Sequence, residues 1–146
     1  MLDLHLFRRC LLAPIAGRPE AVAQCVMRVA LAQIFWRSGQ TKIASWSTTL
    51  MLFSEEYRVP AVPAEAAAYA AAAFELACPI LLVAGFLTRL ALLPLLAMTI
   101  VIQSFVYPLS WPDHIVWFAM ICYLLVRGPG ILSLDYLLLG RNVKQP

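Results

Sequence analysis

Four long apolar stretches follow one another along the chain, and most polar residues lie in the connections between them. The stretches are about Ala21–Lys42, Ala64–Gly85, Thr88–Tyr107 and Asp113–Arg127. A helix needs about 20 mostly apolar residues to cross the hydrocarbon core of a membrane. The first three stretches reach that length, and the fourth approaches it with the preceding residues 111–112. The pattern therefore predicts four transmembrane helices.

The connections predict how these helices are arranged. Only GFL separates the second stretch from the third, so these two helices form a tight antiparallel hairpin. The first connection, residues 43–63, is long, and its WSTTLMLF segment is amphipathic enough to lie at the membrane surface. We therefore predict an all-α integral membrane protein, an antiparallel four-helix bundle with an interfacial helix in its first outer loop.

The composition indicates that a lipid bilayer is the solvent of this chain. Hydrophobic residues occupy 62% and charged residues 13% of the 146 positions. Soluble domains average about 45–50% and about 25%, respectively. A chain this short cannot bury such an excess of apolar surface by itself. We predict one membrane domain over residues 21–140, preceded by a cytoplasmic or interfacial segment 1–20 and followed by a tail 141–146.

The distribution of basic residues predicts the orientation, because cytoplasmic connections carry an excess of Lys and Arg. With the N-terminus in the cytoplasm, that side holds Arg8, Arg9, Arg18, Arg89, Arg127, Arg141 and Lys144, and the other side holds Arg37, Lys42 and Arg58. Both termini are therefore predicted to be cytoplasmic. A net charge of +3 without a basic cluster argues against a nucleic-acid partner.

A carboxylate, Glu75, stands in the middle of the second apolar stretch, within AAAAFELACP. A charge at the centre of a membrane helix costs about 2.5–3.5 kcal/mol on insertion scales, so it normally faces the protein interior and has a partner. Counting the helical rise from the predicted ends places Arg28 within about 5 Å of the same depth, which makes Arg28 the first candidate partner. Glu75 is then either a buried structural anchor or a proton donor and acceptor at a ligand site.

A second polar group is expected near the outer ends of the helices. It comprises Lys42 on the first helix, Gln103 on the third, and His114 and Trp117 on the fourth. Helical periodicity places Lys42 on the same face as Arg28. Together these five residues are the predicted ligand-binding set. The alternatives are an interfacial aromatic belt for Trp117, an exposed helix start for His114, and a lysine that extends to the membrane surface.

Three cysteines, Cys25, Cys78 and Cys122, fall in the inner half of the predicted helices. Thiolates suit Cu(I), which makes them weak candidates for a metal site. Free cysteine is also an ordinary small buried residue, and the spacing matches no ligand motif, so core packing is the favoured interpretation. The sequence contains no CxxC pair, Gly-rich phosphate loop, HExxH or GxSxG motif.

Over about residues 22–140 the chain resembles the DoxX family of small four-span membrane proteins. The resemblance is carried by Arg28, FWRSGQTKI (35–43), the Glu75 helix, GFLTRLA (85–91), His114 and GPGILSLD (128–135). More narrowly, LFSEEYRVPAVP (52–63), MTIVIQSFVYP (98–108) and WPDHIVW (111–117) are similar to a subgroup encoded beside bufferin-like metal-stress proteins.

The resemblance implies a redox or stress function. Some DoxX members are membrane subunits of a thiosulfate:quinone oxidoreductase, and others are linked to membrane complexes that handle oxidative or thiol stress. The family-like polar positions in this chain are Arg28, Gly39, Lys42, Glu75, Arg89, His114 and Asp135. Among them, Gly39, Arg89 and Asp135 are expected to be structural. The resemblance makes quinone the candidate ligand.

These observations lead to two hypotheses for function. In the first, the chain is an inner-membrane accessory protein of a redox or stress pathway, with a quinone or another small ligand in its polar interior. If it is an enzyme, it is a membrane subunit of a quinone-linked oxidoreductase and works with a second membrane or soluble redox protein. In the second, it is a non-enzymatic membrane partner, or a transport or copper-homeostasis component, whose polar core is structural. A homo-oligomer is compatible with both.

Overall fold

A computed structural model of the chain describes residues 19–57 and 62–139. These residues are predominantly helical and contain no strand, which confirms the all-α prediction. Residues 1–18 and 140–146 lie outside the described ranges. The predicted tail 141–146 and nearly all of the predicted segment 1–20 therefore stay predictions.

The described part of the chain forms six α-helices. They are α1 (Pro19–Ala44), α2 (Trp46–Met51), α3 (Ala64–Ala84), α4 (Thr88–Val101), α5 (Trp111–Arg127) and α6 (Leu134–Leu139). Two π-helical segments, Leu52–Tyr57 and Ile102–Val106, continue α2 and α4. The predicted apolar stretches correspond to α1, α3, α4 with its continuation, and α5, and all the observed ends lie within three residues of the predicted ones.

Two helices in the described ranges are long and apolar enough to cross a membrane. They span Ala64–Ala84 and Thr88–Val106, and each has a mean hydropathy of 1.9. Only 39% and 22% of their most apolar windows are buried within the protein. Large apolar side chains such as Ile80, Val83 and Leu93 therefore face outwards, as expected for helices in contact with lipid.

The four longest helices pack around a common core. α1 has its largest interface with α3, α4 packs against α3 and α5, and α5 returns to α1. Gly39 permits the close approach of α1 to α3, since a Cβ at this position would lie 2.9 Å from Leu76 Cδ2 and 3.1 Å from Glu75 Cβ. Small residues favour such contacts between membrane helices. The core beside this contact includes Leu31, Phe35, Leu82, Leu92, Leu95, Ile121 and Leu124.

The GFL connection between α3 and α4 makes the predicted tight turn. Gly85 adopts a left-handed conformation (φ 65°), and its N–H donates to the Leu82 carbonyl at 3.1 Å. The N–H of Phe86 donates to the Leu81 carbonyl at 2.9 Å. This pair of hydrogen bonds is the Schellman arrangement that ends a helix at glycine. The end of the molecule that contains residues 85–87 is called the hairpin end below.

Candidate functional site

A cavity of about 510 Å³ lies among the long helices and the segment that follows α2. Its walls are largely apolar and aromatic and include Phe53, Phe74 and Met98. A few polar side chains interrupt them: Ser38 and Lys42 from α1, Glu75 from α3, and His114 from α5. Small-molecule sites in proteins typically have this character, with volumes of about 300–1,000 Å³ and a few convergent polar groups on apolar walls.

Lys42 and Glu75 form a buried ion pair on one wall of this cavity. The Lys42 ammonium Nζ lies 2.7 Å from Glu75 Oε2 and 2.8 Å from Oε1. It also donates to Ser38 Oγ at 2.9 Å, and the Ser38 hydroxyl donates to Glu75 Oε1 at 3.2 Å. The Glu75 side chain is 1% exposed and that of Lys42 is 16% exposed. Lysine is therefore the more accessible member of the pair.

The prediction that Arg28 is the partner of Glu75 is wrong. The α1 backbone lies against Glu75 at Gly39, and Arg28 lies about three turns, or about 16 Å, away from Gly39 along the helix. Lys42 reaches the carboxylate because side chains on a helix tilt toward its N-terminus, which brings the ammonium to the level of Ser38. The prediction assumed that the first two helices end at the same depth, whereas α1 continues past the hairpin end of α3.

Arg28 instead connects chain segments at the hairpin end. Its Nη1 donates to the Leu82 carbonyl at 3.0 Å, and its Nη2 donates to the Leu132 carbonyl. One turn earlier on α1, Gln24 Nε2 donates to the Gly128 carbonyl at 3.3 Å. Arg28, one of the predicted ligand-binding residues, is not among the residues that line the cavity. Its contacts hold the chain after α5 against the end of α3.

Asp135 and Arg89 also make their contacts at the hairpin end. The Asp135 carboxylate accepts the N–H groups of Leu87 and Thr88 at 2.8 and 2.9 Å. These amides lie at the N-terminus of α4, where a negative charge is stabilising. Arg89 Nη2 donates to the Val126 carbonyl near the end of α5 at 3.3 Å. Both side chains join two helices at their ends.

His114 faces the cavity from α5, and Gln103 fixes its orientation. His114 Nδ1 lies 2.7 Å from Gln103 Oε1, and Gln103 Nε2 donates to the Pro108 carbonyl at 2.8 Å. The amide oxygen of Gln103 thus accepts the Nδ1–H of His114, which leaves Nε2 of a neutral ring as an acceptor. The imidazole packs edge-on against Trp117, with ring centroids 4.9 Å apart. His114 and Trp117 line the cavity, whereas Gln103 acts through His114.

The sequence analysis missed much of the cavity wall, including Ser38, Phe53 and Tyr57. Ser38 had a detectable signal, because it lies one helical turn before Lys42. Phe53 and Tyr57 belong to the first connection, and no periodicity indicates that it folds over a cavity. Burial raises the pKa of the Tyr57 phenol above its ordinary value, and hydrogen bonding with Tyr107 raises it further. Tyr57 is therefore a hydrogen-bond donor at neutral pH.

The three cysteines of the described ranges are free thiols. Cys78 is buried in the core, and Cys25 and Cys122 are half-buried. Residues 19–57 and 62–139 contain no group of three His, Cys, Asp or Glu side chains arranged to hold a metal ion. The geometry therefore gives the weak metal candidates no support.

The DoxX family model matches residues 23–108, more than half of the chain. The matched stretch contains α3, α4, nearly all of α1, and both members of the ion pair. The chain belongs to the DoxX family. No curated protein and no solved structure matched it. This DoxX protein is a membrane protein in contact with the lipid bilayer, in agreement with its two apolar helices. The match ends before α5, so the cavity wall formed by His114 and Trp117 lies outside it.

Proposed function

We propose that this DoxX protein binds a quinone, or a small ligand of similar chemistry, in the cavity, and that it acts as an accessory protein of a redox or stress-response pathway. The observation that carries the proposal is the position of the Lys42–Glu75 pair on the wall of an otherwise apolar cavity of about 510 Å³. A quinone ring has apolar faces and two carbonyl acceptors. It therefore suits apolar walls that carry a few hydrogen-bond donors.

The polar side chains of the site have distinct roles in this proposal. Lys42 donates a hydrogen bond to a ligand carbonyl. That carbonyl takes the place of Ser38 Oγ, the one uncharged acceptor among the present hydrogen-bond partners of Lys42. Glu75 balances the lysine charge and is the candidate proton donor or acceptor. Reduction of a quinone to a quinol consumes two electrons and two protons, and a partner redox protein supplies the electrons.

Ligand binding can be measured through Trp117, which lines the cavity. A short-chain ubiquinone analogue should quench the fluorescence of the purified protein saturably, and Trp117→Phe should remove most of that signal. The double variant Lys42→Gln/Glu75→Gln, which leaves no unpaired buried charge, should weaken binding at least tenfold. A hydrogen bond from a charged group contributes about 1.5–3 kcal/mol, which corresponds to a factor of that size or larger.

Arg37→Gln is the matched control, since Arg37 is exposed on the same helix and lies outside the cavity. It should bind the analogue as the native protein does. A quench that increases linearly without saturation, or that persists unchanged in the Lys42→Gln/Glu75→Gln variant, would contradict quinone binding at this site.

We also propose a topology for the protein. α1, α3, α4 with its continuation, and α5 cross the inner membrane as an antiparallel four-helix bundle, with both termini cytoplasmic and α2 at the outer surface. The contacts among these helices support the bundle. α1 contributes to the outer apolar surface through Val22, Val26 and Val29, which are exposed. The excess of basic residues on one side supports the orientation.

A second function is favoured by the internal saturation of the ion pair. The Lys42 ammonium has three acceptor atoms, and both oxygens of Glu75 accept hydrogen bonds. A polar core satisfied in this way needs no ligand, and the chain would then be a non-enzymatic membrane partner of another protein. Gentle purification separates the two functions. A copurified protein without quinone would favour this second function, and bound quinone would favour the first.

A further inference from the structure

A second, smaller cavity of about 250 Å³ adjoins the first and has a different lining. We call it the hydroxyl pocket, because its wall contains Ser38, Thr41, Ser45, Thr48, Thr49 and Tyr57, together with Lys42, Leu52 and Phe53. Ser38, Lys42, Phe53 and Tyr57 line both cavities. Lys42 therefore lies at the boundary between an apolar space and a polar one, and its partner Glu75 lines the apolar space alone.

The hydrogen bonds of the hydroxyl pocket leave it rich in acceptors. Thr41 Oγ1 donates to the Arg37 carbonyl at 3.0 Å, and Thr49 Oγ1 donates to the Lys42 carbonyl at 2.9 Å. A hydroxyl that donates its hydrogen to the backbone keeps its lone pairs for another donor. Ser45 and Thr48 share one hydrogen bond of 2.7 Å, which leaves one hydrogen free to be donated.

The charge of the hydroxyl pocket favours water over an ion. Among residues 19–57 and 62–139, Lys42 is the one charged side chain that lines the pocket, and Glu75 compensates that charge at 2.7 Å. The lining therefore offers donors and acceptors without a net charge, which suits water. A water molecule occupies about 30 Å³ of liquid volume and needs two to four polar partners. A polar space of about 250 Å³ meets both requirements for several molecules.

We propose that the hydroxyl pocket is the water-filled route by which protons reach the Lys42–Glu75 pair, from the side of the membrane on which α2 lies. A proton carried along this water passes to Ser38 Oγ, which lines the pocket, and the Ser38 hydroxyl gives its own hydrogen to Glu75 Oε1, to which it already donates at 3.2 Å. The Lys42 ammonium is then free to donate to a ligand. Phe53 and Tyr57, whose rings contact edge-to-face at 5.0 Å, separate this route from the apolar cavity. The inference rests on the proposed function in one respect, the role of Glu75 as the group that receives the proton. The route itself is testable without a ligand.

The test measures how fast a charged, water-soluble thiol reagent reaches Ser38, which lines both cavities. Ser38→Cys is introduced into a chain whose four native cysteines are replaced by alanine, and the purified protein in detergent is treated with a methanethiosulfonate ammonium reagent. We expect modification of the cysteine. Thr48→Trp, which fills the hydroxyl pocket, should slow it at least tenfold, whereas Ala70→Trp, which fills the apolar cavity, should change it less than twofold.

Two outcomes would overturn the route. One is a Ser38→Cys protein that stays unmodified while Ser45→Cys, at an exposed position of the pocket, reacts. The other is equal slowing by the two tryptophans. Ser45→Trp provides a second block of the same pocket if Thr48→Trp does not insert into the membrane. Because no quinone is present, failure here is distinct from failure of ligand binding in the Trp117 titration.

A second measurement uses the unsubstituted chain and avoids any folding defect of the variants. Hydroxyl radicals produced by radiolysis of water oxidise side chains that lie next to water. Phe53 lines both cavities and Phe35 lines the apolar cavity alone, and both are buried. Phe53 should be oxidised at least threefold faster than Phe35, and equal rates would contradict a water-filled pocket.

Discussion

Glu75 is 1% exposed in a helix that also buries Ala68, Ala72 and Cys78, and Lys42 and Ser38 together satisfy its charge. A carboxylate inside a membrane protein is costly unless it is paired and hydrogen-bonded. Once such a pair has formed, the loss of one partner leaves an uncompensated charge. Replacement of both partners removes that cost. The effect of a single substitution at this site on stability therefore depends on whether the partner that remains is still charged.

This asymmetry predicts the outcome of a double-mutant cycle. Lys42→Met and Glu75→Met should each destabilise the protein, and the loss of a lysine opposite a buried carboxylate should cost about 3–5 kcal/mol. The double variant Lys42→Met/Glu75→Met should lie within about 1.5 kcal/mol of the native protein, as expected for an apolar replacement of similar volume. The measurement is reversible unfolding of the purified protein in mixed micelles. Arg37→Met, at an exposed position of the same helix, is the control and should have little effect.

The contradicting result is additivity. If the double variant lost the sum of the two single effects, the ion pair would not couple Lys42 to Glu75, and the contacts of 2.7 and 2.8 Å would have no energetic weight. Additive losses would also weaken the proposed function, which needs Glu75 to control the charge state of this wall.

At the level of residues, the sequence predicts which polar groups are buried better than it predicts their partners. The burial of Glu75 and Arg28 follows from the cost of exposing charge to lipid, and both are 1% exposed. Their partners depend on the relative height of two helices. The hydrophobic pattern of the sequence does not predict the relative height of α1 and α3, because the contact of Gly39 with α3 sets it.

At the level of elements, the chain that follows α5 is more firmly attached than its composition indicates. Residues 128–135 read as a Gly-Pro-Gly stop followed by a short apolar segment. In the fold they return to the hairpin end, where Arg28 and Gln24 donate to their carbonyls. The length of the apolar stretches predicted the long helices, because a helix that crosses a bilayer must match the thickness of its hydrocarbon core. The return of this segment depends on single hydrogen bonds and has no periodic signature.

Asp135 should be the most important side chain of that segment for stability. Asp135→Ala removes both acceptors of the amides at the N-terminus of α4, at 2.8 and 2.9 Å, and should destabilise the protein by about 1–2 kcal/mol, the range for loss of a helix cap. Hydrogen exchange at Leu87 and Thr88 should accelerate about tenfold, since about 1.4 kcal/mol corresponds to that factor. Asp113→Ala is the matched control, because Asp113 is exposed in the first turn of α5. If both variants exchanged alike, the Asp135 contact would not stabilise the start of α4.

At the level of the whole molecule, apolar residues occur on both the inside and the outside of the described helices. The inner set forms the core, and the outer set includes Val26 at 60%, Leu90 at 62% and Val126 at 75% exposure. These three residues lie on α1, α4 and α5, so lipid would contact several helices rather than one. The composition alone predicts a lipid solvent. It does not predict that an internal cavity remains beside the ion pair, because cavity volume depends on how well opposite walls fit.

The orientation of this molecule can be tested at two exposed positions that flank α1. Glu20 lies in the first turn of α1 and is 61% exposed, and Ser54 lies beyond the other end of α1 in the segment that follows α2. If α1 crosses the membrane with a cytoplasmic start, a membrane-impermeant maleimide added to intact spheroplasts should label Ser54→Cys and leave Glu20→Cys unlabelled until the cells are opened. Both variants are made in the chain without native cysteines. Labelling of Glu20→Cys alone would reverse the orientation. Labelling of both positions in intact spheroplasts would mean that α1 does not cross the membrane, and the Lys42–Glu75 pair would then lie near the lipid surface rather than within a bundle.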